Sequence, residues 1–265
     1  MARYPRLMPD QPRLFTAEVQ RSVRLSPSYQ RVTIRGPELS GFDWRGFDHW
    51  FRLFLPAPGM ALRLPKLAGR SWWPSYLLIP EAERPHCSNY TVAGCRPEAA
   101  ELDIDVVLHW HDGELGGRVA RWASAAEPGQ PVGLLDQGRM FDPPQDSGRV
   151  LLATDETGLP GVLGILAALP QDATGLAFLE VPEAGDVREV EAPPGASLTW
   201  LPRTEGQTPG ELTLAAMDAV DVRPDDYAYL VGESALATGA RRLLRKAGLT
   251  AGRITFSGFW KAAVH

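Results

Sequence analysis

The sequence predicts a two-part fold, in which a β-rich domain is followed by an α/β domain with a parallel sheet. Short strand-like runs separated by turns fill the first half, and strand and helix patterns alternate in the second half. A Pro-, Asp- and Gly-containing stretch at 142–148 breaks both composition and periodicity between them. We therefore place the two domains at 1–146 and 147–265.

The first half is a series of apolar or alternating runs that predict strands forming a sheet or a barrel. These runs are Leu14–Leu25, Tyr29–Ile34, His49–Leu55, Tyr90–Val92, Leu102–His109 and Val132–Leu135. Between Pro56 and Pro85 the chain is punctuated by Pro, Gly and isolated basic residues, which predicts a long excursion without regular structure.

One helix is predicted inside the β-rich half, over Arg118–Ala126. Its apolar residues recur at the spacing of one helix face, Gly116-Gly117 precedes it and Pro128 ends it. This Gly-Gly-Arg start, with Arg121 one turn on, is suited to an anion such as a pyrophosphate, because small residues admit a phosphate and helix-start N–H groups attract it. An ordinary loop-to-helix turn with solvated arginines is the alternative.

The second half alternates strands with helices, the pattern of a parallel sheet covered by helices. The segments are Arg149–Ala153, Leu159–Leu169, Leu176–Val181, Leu198–Pro202, Leu212–Ala219, Tyr227–Val231, Leu236–Ala247 and Arg253–Phe256. Ligands bind at the carboxyl ends of such strands, so we expect the functional edge at 154–158 and 232–235.

Composition and motifs exclude several function classes. The net charge of −5 gives no reason to expect nucleic acid as a partner. The chain has no secretory h-region and no apolar run of about 18 residues, so we expect no membrane insertion and a cytoplasmic location. Cys87 and Cys95 are read as ordinary thiols. No nucleophile motif occurs, and we assign no catalytic residue and no metal site.

Other candidate residues keep more than one interpretation. His109 and His111, followed by Asp112, could bind a metal, hydrogen-bond a cofactor or simply end a strand. Asp155 and Glu156 could cap the next helix or meet the adenine or ribose of a nucleotide, because acids there would repel its phosphates.

The end of the chain offers basic and aromatic candidates. A cationic cluster on the last helix is either a solvated face or an attractor of anions; it comprises Arg241, Arg242, Arg245 and Lys246. Phe259, Trp260 and Lys261 follow the last strand, where the rings could stack on a flat ligand or pack in the core.

In its order of motifs the chain resembles the siderophore-interacting protein family, flavin-dependent ferric-siderophore reductases of the ferredoxin reductase-like group. The motifs that carry the resemblance extend over nearly the whole sequence. They are Leu25-Ser26-Pro27, Arg31-Val32-Thr33, Gly36-Pro37-Glu38-Leu39, Tyr90-Thr91-Val92, Val107-Leu108-His109, Gly116–Trp122, Pro128-Gly129, Leu151–Thr157, Trp200–Arg203, Gly232-Glu233 and Gly258-Phe259-Trp260.

The resemblance implies an N-terminal antiparallel β-barrel that binds FAD and a C-terminal α/β domain where NAD(P)H or a ferredoxin supplies electrons. Ferric siderophore would be the substrate, approached by Lys261, Arg242 and Trp260. The cofactor-binding residues it implies are Tyr90, Thr91 and Val92 along the flavin, His109, Gly116, Gly117, Arg118 and Trp122 near the phosphates, and Asp155 and Thr157 at the adenine.

Two departures from the family pattern leave alternatives open. The family's Arg two positions before the Tyr is Ser88 here, and the usual Arg after Val92 is Ala93. Loss of a charged phosphate donor favours a flavin-poor binding protein as one alternative. The segment Ala61–Pro85, with Trp72-Trp73, could cover the flavin cleft and favours a flavin enzyme for another, biosynthetic substrate.

Overall fold

The computed structural model describes residues 7–9, 11–111 and 113–262 and divides them into two compact units. The first, termed the barrel unit, comprises Leu7–Arg45 and His49–Arg139 within the described residues. The second, termed the α/β unit, comprises Gly46–Asp48 and residues 140–262. The domain boundary at 146/147 stays a prediction.

The barrel unit is built on a seven-stranded sheet in the order β4-β3-β9-β1-β2-β6-β5, with every neighbouring pair antiparallel. Its edge strands β4 and β5 are joined by residues 92–93 alone, so the sheet curls round on itself. This confirms the antiparallel β-barrel. The strands of the unit are β1 Leu14–Ser26, β2 Tyr29–Arg35, β3 Trp50–Leu55, β4 His86–Thr91, β5 Gly94–Arg96, β6 Glu101–Val107, β7 Trp110–His111, β8 Glu114–Leu115 and β9 Pro131–Asp136.

The barrel core follows from the alternation seen in the sequence. In β1 the side chains of Phe15, Ala17 and Val19 are buried, while the residues between them are exposed. A short helix after the β7–β8 hairpin, α2 (Arg118–Ser124), packs Val119 and Ala123 into the same core. It ends before the predicted Ala126.

The excursion at 56–85 contains one helical turn, α1 (Trp73–Leu77), that the sequence did not predict. Trp72 is nearly buried and packs with Phe54 of β3 and Leu135 of β9 in a separate apolar cluster. The segment is therefore held by its own small core, although most of it lacks regular structure.

The α/β unit contains a five-stranded parallel sheet in the order β12-β11-β10-β13-β14. This confirms the predicted α/β architecture. Strand order reverses between β10 and β13, and ligands bind at such reversal points in doubly wound folds. The elements are β10 Arg149–Thr154, α3 Leu159–Ala168, β11 Thr174–Val181, β12 Gly195–Pro202, α4 Glu211–Asp218, β13 Tyr227–Glu233, α5 Ser234–Lys246 and β14 Ile254–Trp260.

Two strands extend four residues beyond a predicted end. β4 begins at His86 because it pairs with β3 along its whole length, from His86 opposite Leu55 to Thr91 opposite Trp50. β14 extends beyond Phe256 to Trp260 because it stays paired with β13, despite the glycines at 232 and 258. Pairing partners that are distant in sequence set both ends.

Candidate functional site

One face of β4 carries three of the residues around the Tyr-Thr-Val motif. Side chains alternate along a strand, so His86, Ser88 and Tyr90 share this face, which we call the β4 motif face. Tyr90 packs against the barrel core, and burial raises the pKa of its phenol. Tyr90 therefore presents a neutral, flat ring.

The next residues of the motif are fixed by the neighbouring strand. Thr91 lies opposite Trp50 on the alternate face of β4. Val92 is buried, and its backbone N–H donates to the carbonyl of His49 at 2.8 Å. The backbone of the Tyr-Thr-Val motif is thus held in one position.

Ser88 is the unusual residue of the β4 motif face. Its Oγ is buried, yet within the described part of the chain it has no hydrogen-bond partner. Buried hydroxyls are normally bonded, and an unbonded one calls for an explanation such as an unseen ligand.

The start of α2 has the backbone that the Gly-Gly-Arg motif predicts. Gly117 has φ 76° and ψ 148°, a conformation open essentially only to glycine, and nothing lies within 4 Å of where a Cβ would stand. The N–H of Gly116 donates to the carbonyl of His109 at 2.7 Å, and Trp122 packs against the barrel core. The turn is anchored while the space beside Gly117 stays open.

Arg118 reaches from α2 towards the end of β3. Its Nη2 donates to the carbonyl of Pro56 at 2.8 Å, one residue past Leu55, which pairs with His86. Burial and then the nearby Arg118 charge lower the pKa of His86. No carboxylate among the described residues forms an ion pair with Arg118, so its charge is not neutralised within that part of the chain.

Arg96, the first arginine after the Tyr-Thr-Val motif, is bonded to two carboxylates of β6. Its guanidinium bonds both carboxylate oxygens of Asp103 at 2.8 Å and also Glu101 at 3.0 Å. It therefore does not replace the arginine missing at Ala93. Burial raises the pKa of the adjacent Cys95 thiol to about 11, which leaves little of the nucleophilic thiolate at neutral pH.

The excursion packs on the alternate face of β3 and β4. Its apolar cluster includes Phe54 and Cys87, which pair across the two strands. Residues one position away point to the opposite face, where Ser88 and Tyr90 lie. The packed part of the segment, including Trp72, therefore sits on the face opposite to the β4 motif face.

In the α/β unit, Asp155 lies at the strand-order reversal and is fully buried. Its Oδ1 accepts from the N–H and hydroxyl of Thr157, at 2.8 and 2.6 Å. Its Oδ2 accepts from the N–H of Glu233 at 2.6 Å and from the indole of Trp260 at 2.9 Å. Burial, followed by the neighbouring Glu156, raises the pKa of this carboxyl.

This network favours a structural role for the Asp155 side chain. Gly232 has φ 124°, and a Cβ there would meet the Asp155 carboxylate at 2.6 Å, so a glycine is required. All four bonds to Asp155 come from the protein itself. An adenine contact through the Asp155 side chain would break one of them, and the role of Asp155 and Thr157 at a nucleotide stays a prediction.

A second buried cluster joins the ends of β10, β11 and β12. Arg203 contacts Glu156 at 2.7 Å and Glu180 at 3.0 Å, and both carboxylates are almost fully buried. Glu180 also accepts from the N–H groups of Gly210 and Thr213, at 2.6 and 3.0 Å. The start of α4 is thereby capped by a carboxylate.

The basic candidates are spread along the α/β unit. Lys261 is exposed just past β14, beside Trp260. Arg242 is exposed on α5, eight residues after the helix start at Ser234, or about 12 Å along its axis. Its neighbour Arg241 lies over the ring of Phe256 at 4.6 Å. The structure does not bring Arg242 and Lys261 together.

The described residues offer neither a membrane-spanning helix nor a metal-binding group. None of their helices is long and apolar enough to cross a membrane. No group of three or more His, Cys, Asp or Glu side chains in 7–9, 11–111 and 113–262 could hold a metal ion. Asp112 and the side chain of His111 lie outside what the structure describes.

Sequence reasoning gave no role to His86 or Glu180, and it noted Glu233 only as part of the Gly232-Glu233 motif. The two-residue period of a strand through Tyr90 could have found His86, had β4 been predicted to begin there. Glu233 caps α5 by accepting from the N–H groups of Ala235 and Leu236. The partners of Glu180 depend on the tertiary fold and leave no local signal.

Family comparisons divide the chain into two matched parts. The siderophore-interacting FAD-binding domain matches residues 18–140, and the siderophore-interacting protein domain matches residues 147–263. Among individual proteins, the ferric vibriobactin reductase ViuB of Vibrio cholerae is 29% identical over 247 residues, covering 91% of this chain and 83% of that protein.

Further relatives match along almost their full length. The NADPH-dependent ferric-chelate reductase of Escherichia coli is 26% identical and covers 98% of each chain. A crystal structure of a siderophore utilization protein from T. fusca is 30% identical, with a TM-score of 0.83 over 98% of this chain and 97% of that one.

Proposed function

Because this chain belongs to the siderophore-interacting protein family, we propose that it is a FAD-dependent reductase that releases iron from ferric siderophores with electrons from NAD(P)H. The observation that carries the proposal is a set of polar groups in the barrel unit that lack hydrogen-bond or ion-pair partners among the described residues. They lie where the β4 motif face approaches the start of α2, a region that we call the barrel corner. The relatives named as ferric vibriobactin and ferric-chelate reductases support the same substrate class.

The residues at this corner fit FAD. The buried Ser88 Oγ lacks a partner, and Arg118 is not paired with a carboxylate among the described residues. Gly117 leaves open space where a side chain would otherwise stand. A pyrophosphate needs such donors and such close backbone approach.

Each residue then has a defined task. Arg118 would bind the phosphates, while Gly116 and Gly117 let them approach the backbone. Tyr90 and Val92 would form the wall against the flavin, and Thr91 would offer a hydroxyl. His109 and Trp122 would hold the turn and the helix in place.

FAD held by these residues would supply the redox chemistry, in which two electrons accepted as a hydride are passed singly to Fe(III). Reduction to Fe(II) weakens the hold of hard oxygen ligands on the iron. No protein acid or base is required, so the residues of this chain bind and orient the reactants. Lys261 and Trp260 would contact an anionic chelate, with Arg242 contributing longer-range attraction.

A titration with FAD tests the proposal first. We expect absorbance bands near about 370 and 450 nm to remain after excess FAD is removed, because the flavin absorbs there. Anaerobic NADH or NADPH should bleach them, and a ferric siderophore should restore them while Fe(II) appears. Absence of retained flavin would reject the reductase.

Ser88 favours one other candidate, a flavin-poor binding protein for ferric siderophores. Two readouts distinguish it from the reductase. Such a protein would bind the ferric chelate, as seen by tryptophan fluorescence, in the complete absence of FAD and without forming Fe(II) when NAD(P)H is added.

A further inference from the structure

The barrel corner lacks an arginine at position 88 but has a histidine two residues before it. We propose that His86 and Arg118 together bind the FAD pyrophosphate in place of that arginine, so that FAD binds more tightly at acid pH. This inference rests on the proposed function, since it concerns the cofactor of that reductase.

The strand geometry places His86 with the residues of the FAD motif. His86, Ser88 and Tyr90 occupy successive positions of the β4 motif face. Ser88 pairs with Leu53 and His86 with Leu55, so His86 lies at the end of β3. A ligand that extends from Tyr90 past Ser88 along this face comes next to His86.

Arg118 approaches the same end of β3 from α2. Its bond to the Pro56 carbonyl at 2.8 Å holds the guanidinium one residue beyond the partner of His86. The Arg118 charge also contributes to the lowered pKa of His86, in keeping with both side chains lying at this end of β3. Because no carboxylate among the described residues forms an ion pair with Arg118, its guanidinium and the His86 ring can bind an anion together.

The groups around His86 explain how FAD would change its protonation. Arg118 is the charged group that acts on it from α2, and Leu55 opposite it is apolar. Tyr76 of α1 donates its hydroxyl to the carbonyl of Pro85, next to His86, while Cys87 faces the alternate side.

Without FAD, burial and Arg118 both disfavour the imidazolium, so the pKa of His86 lies below its usual value. Phosphates beside His86 would reverse this effect by favouring the charged ring. Binding would then take up a proton, and the FAD affinity would fall as pH rises between the two pKa values.

Ser88 supplies the remaining donor and explains why the pH dependence arises here. Its unpartnered Oγ can donate to a phosphate oxygen, but it brings no charge. An arginine at this position would be cationic at every pH. With serine there, His86 can add positive charge to that of Arg118, and the charge of a histidine depends on pH.

FAD titrations of the full-length protein, followed by quenching of flavin fluorescence from pH 5.5 to 8.5, test the inference. We expect the dissociation constant to rise with pH, by roughly tenfold over this range, because binding takes up a proton. His86→Asn should abolish the rise, because the amide does not titrate. Arg118→Gln should weaken binding at every pH.

Ser88→Arg provides the sharpest variant. A permanent guanidinium should tighten FAD binding and also flatten the pH dependence, because His86 then contributes less. Arg24→Gln, an exposed charge on β1, is the matched control and should leave both the affinity and its pH profile unchanged.

The outcomes separate the two proposals. Tight FAD binding with the same pH profile in the wild type and His86→Asn would overturn the His86 inference and leave the reductase standing. Absence of FAD binding at every pH, in wild type and in Ser88→Arg, would overturn both. Circular dichroism of each variant at each pH verifies that the fold is retained.

Discussion

Two regions of the molecule differ in how many of their polar side chains are bonded within the protein. They are the strand-order reversal of the parallel sheet and the barrel corner. Asp155 accepts four bonds from the chain, and Arg203 is enclosed by two carboxylates. At the barrel corner, Ser88 Oγ has no partner within the described residues, and Gly117 borders open space.

This difference distinguishes side chains that are already bonded within the protein from side chains that can still bond a ligand. A buried polar group left unbonded costs free energy, so it persists where a ligand completes it. Perturbed acids such as Asp155 attract attention as functional candidates, yet structural networks perturb pKa values as well. The bonds of Asp155 are therefore explained by the protein itself, and we propose the region around Ser88 as the place where the cofactor binds.

The largest effect is expected at Arg203. Replacing it in Arg203→Met leaves Glu156 and Glu180 buried without their cation, which should lower the free energy of unfolding by about 3–5 kcal/mol. Urea unfolding followed by circular dichroism measures this loss. Arg242→Met removes an exposed arginine from the same unit and should change stability by less than about 0.5 kcal/mol.

Equal stability of the two variants would contradict the closed network. It would mean that Arg203 is as dispensable as a solvated side chain. The expected difference is large because removing one member of a buried ion pair leaves an uncompensated charge in a region that water does not reach.

A smaller loss is expected at Trp260. Trp260→Phe keeps an aromatic ring but removes the indole N–H that donates to Asp155 at 2.9 Å. A hydrogen bond to a charged group contributes about 1.5–3 kcal/mol, and the same urea experiment measures its loss. Trp44→Phe, at an exposed tryptophan, is the control and should be close to neutral.

Sequence patterns were sufficient for the architecture because it depends on local periodicity. The alternation in β1 and the apolar stripe of α5 identify their elements without knowledge of any neighbour. They were insufficient for the start of β4 at His86 and the end of β14 at Trp260, since pairing with other strands sets these limits.

The same division applies to the candidate sites. The Gly-Gly-Arg start of α2 was visible because glycine at a positive φ is a local requirement. Arg96 is bonded to Asp103, and Asp155 accepts a hydrogen bond from Trp260. In each pair the two residues belong to different parts of the fold. Only the fold distinguishes an engaged side chain from an available one.

Gly117 tests whether open space at the barrel corner is used by a ligand. Gly117→Ala should cost about 1–3 kcal/mol of stability from backbone strain and should also weaken FAD binding, since the methyl enters the space beside the helix start. Gly206→Ala adds a methyl at another positive φ with open surroundings, in the α/β unit. It should show strain alone, so unchanged FAD affinity in both variants would argue against this location for the phosphates.

The smallest expected effect on stability concerns single hydroxyl groups, one in each of the two regions. Ser88→Ala removes an unpartnered Oγ and should leave the stability of the FAD-free protein unchanged or slightly raised. Thr157→Val removes a hydroxyl that donates to Asp155 at 2.6 Å and should cost about 1–3 kcal/mol. With FAD present the difference between the two variants should narrow, because Ser88→Ala then loses a bond to the ligand. If Ser88→Ala were as destabilising as Thr157→Val without FAD, the hydroxyl of Ser88 would already be satisfied by the protein or by water, and the distinction between the two regions would fail at the residue on which it most depends.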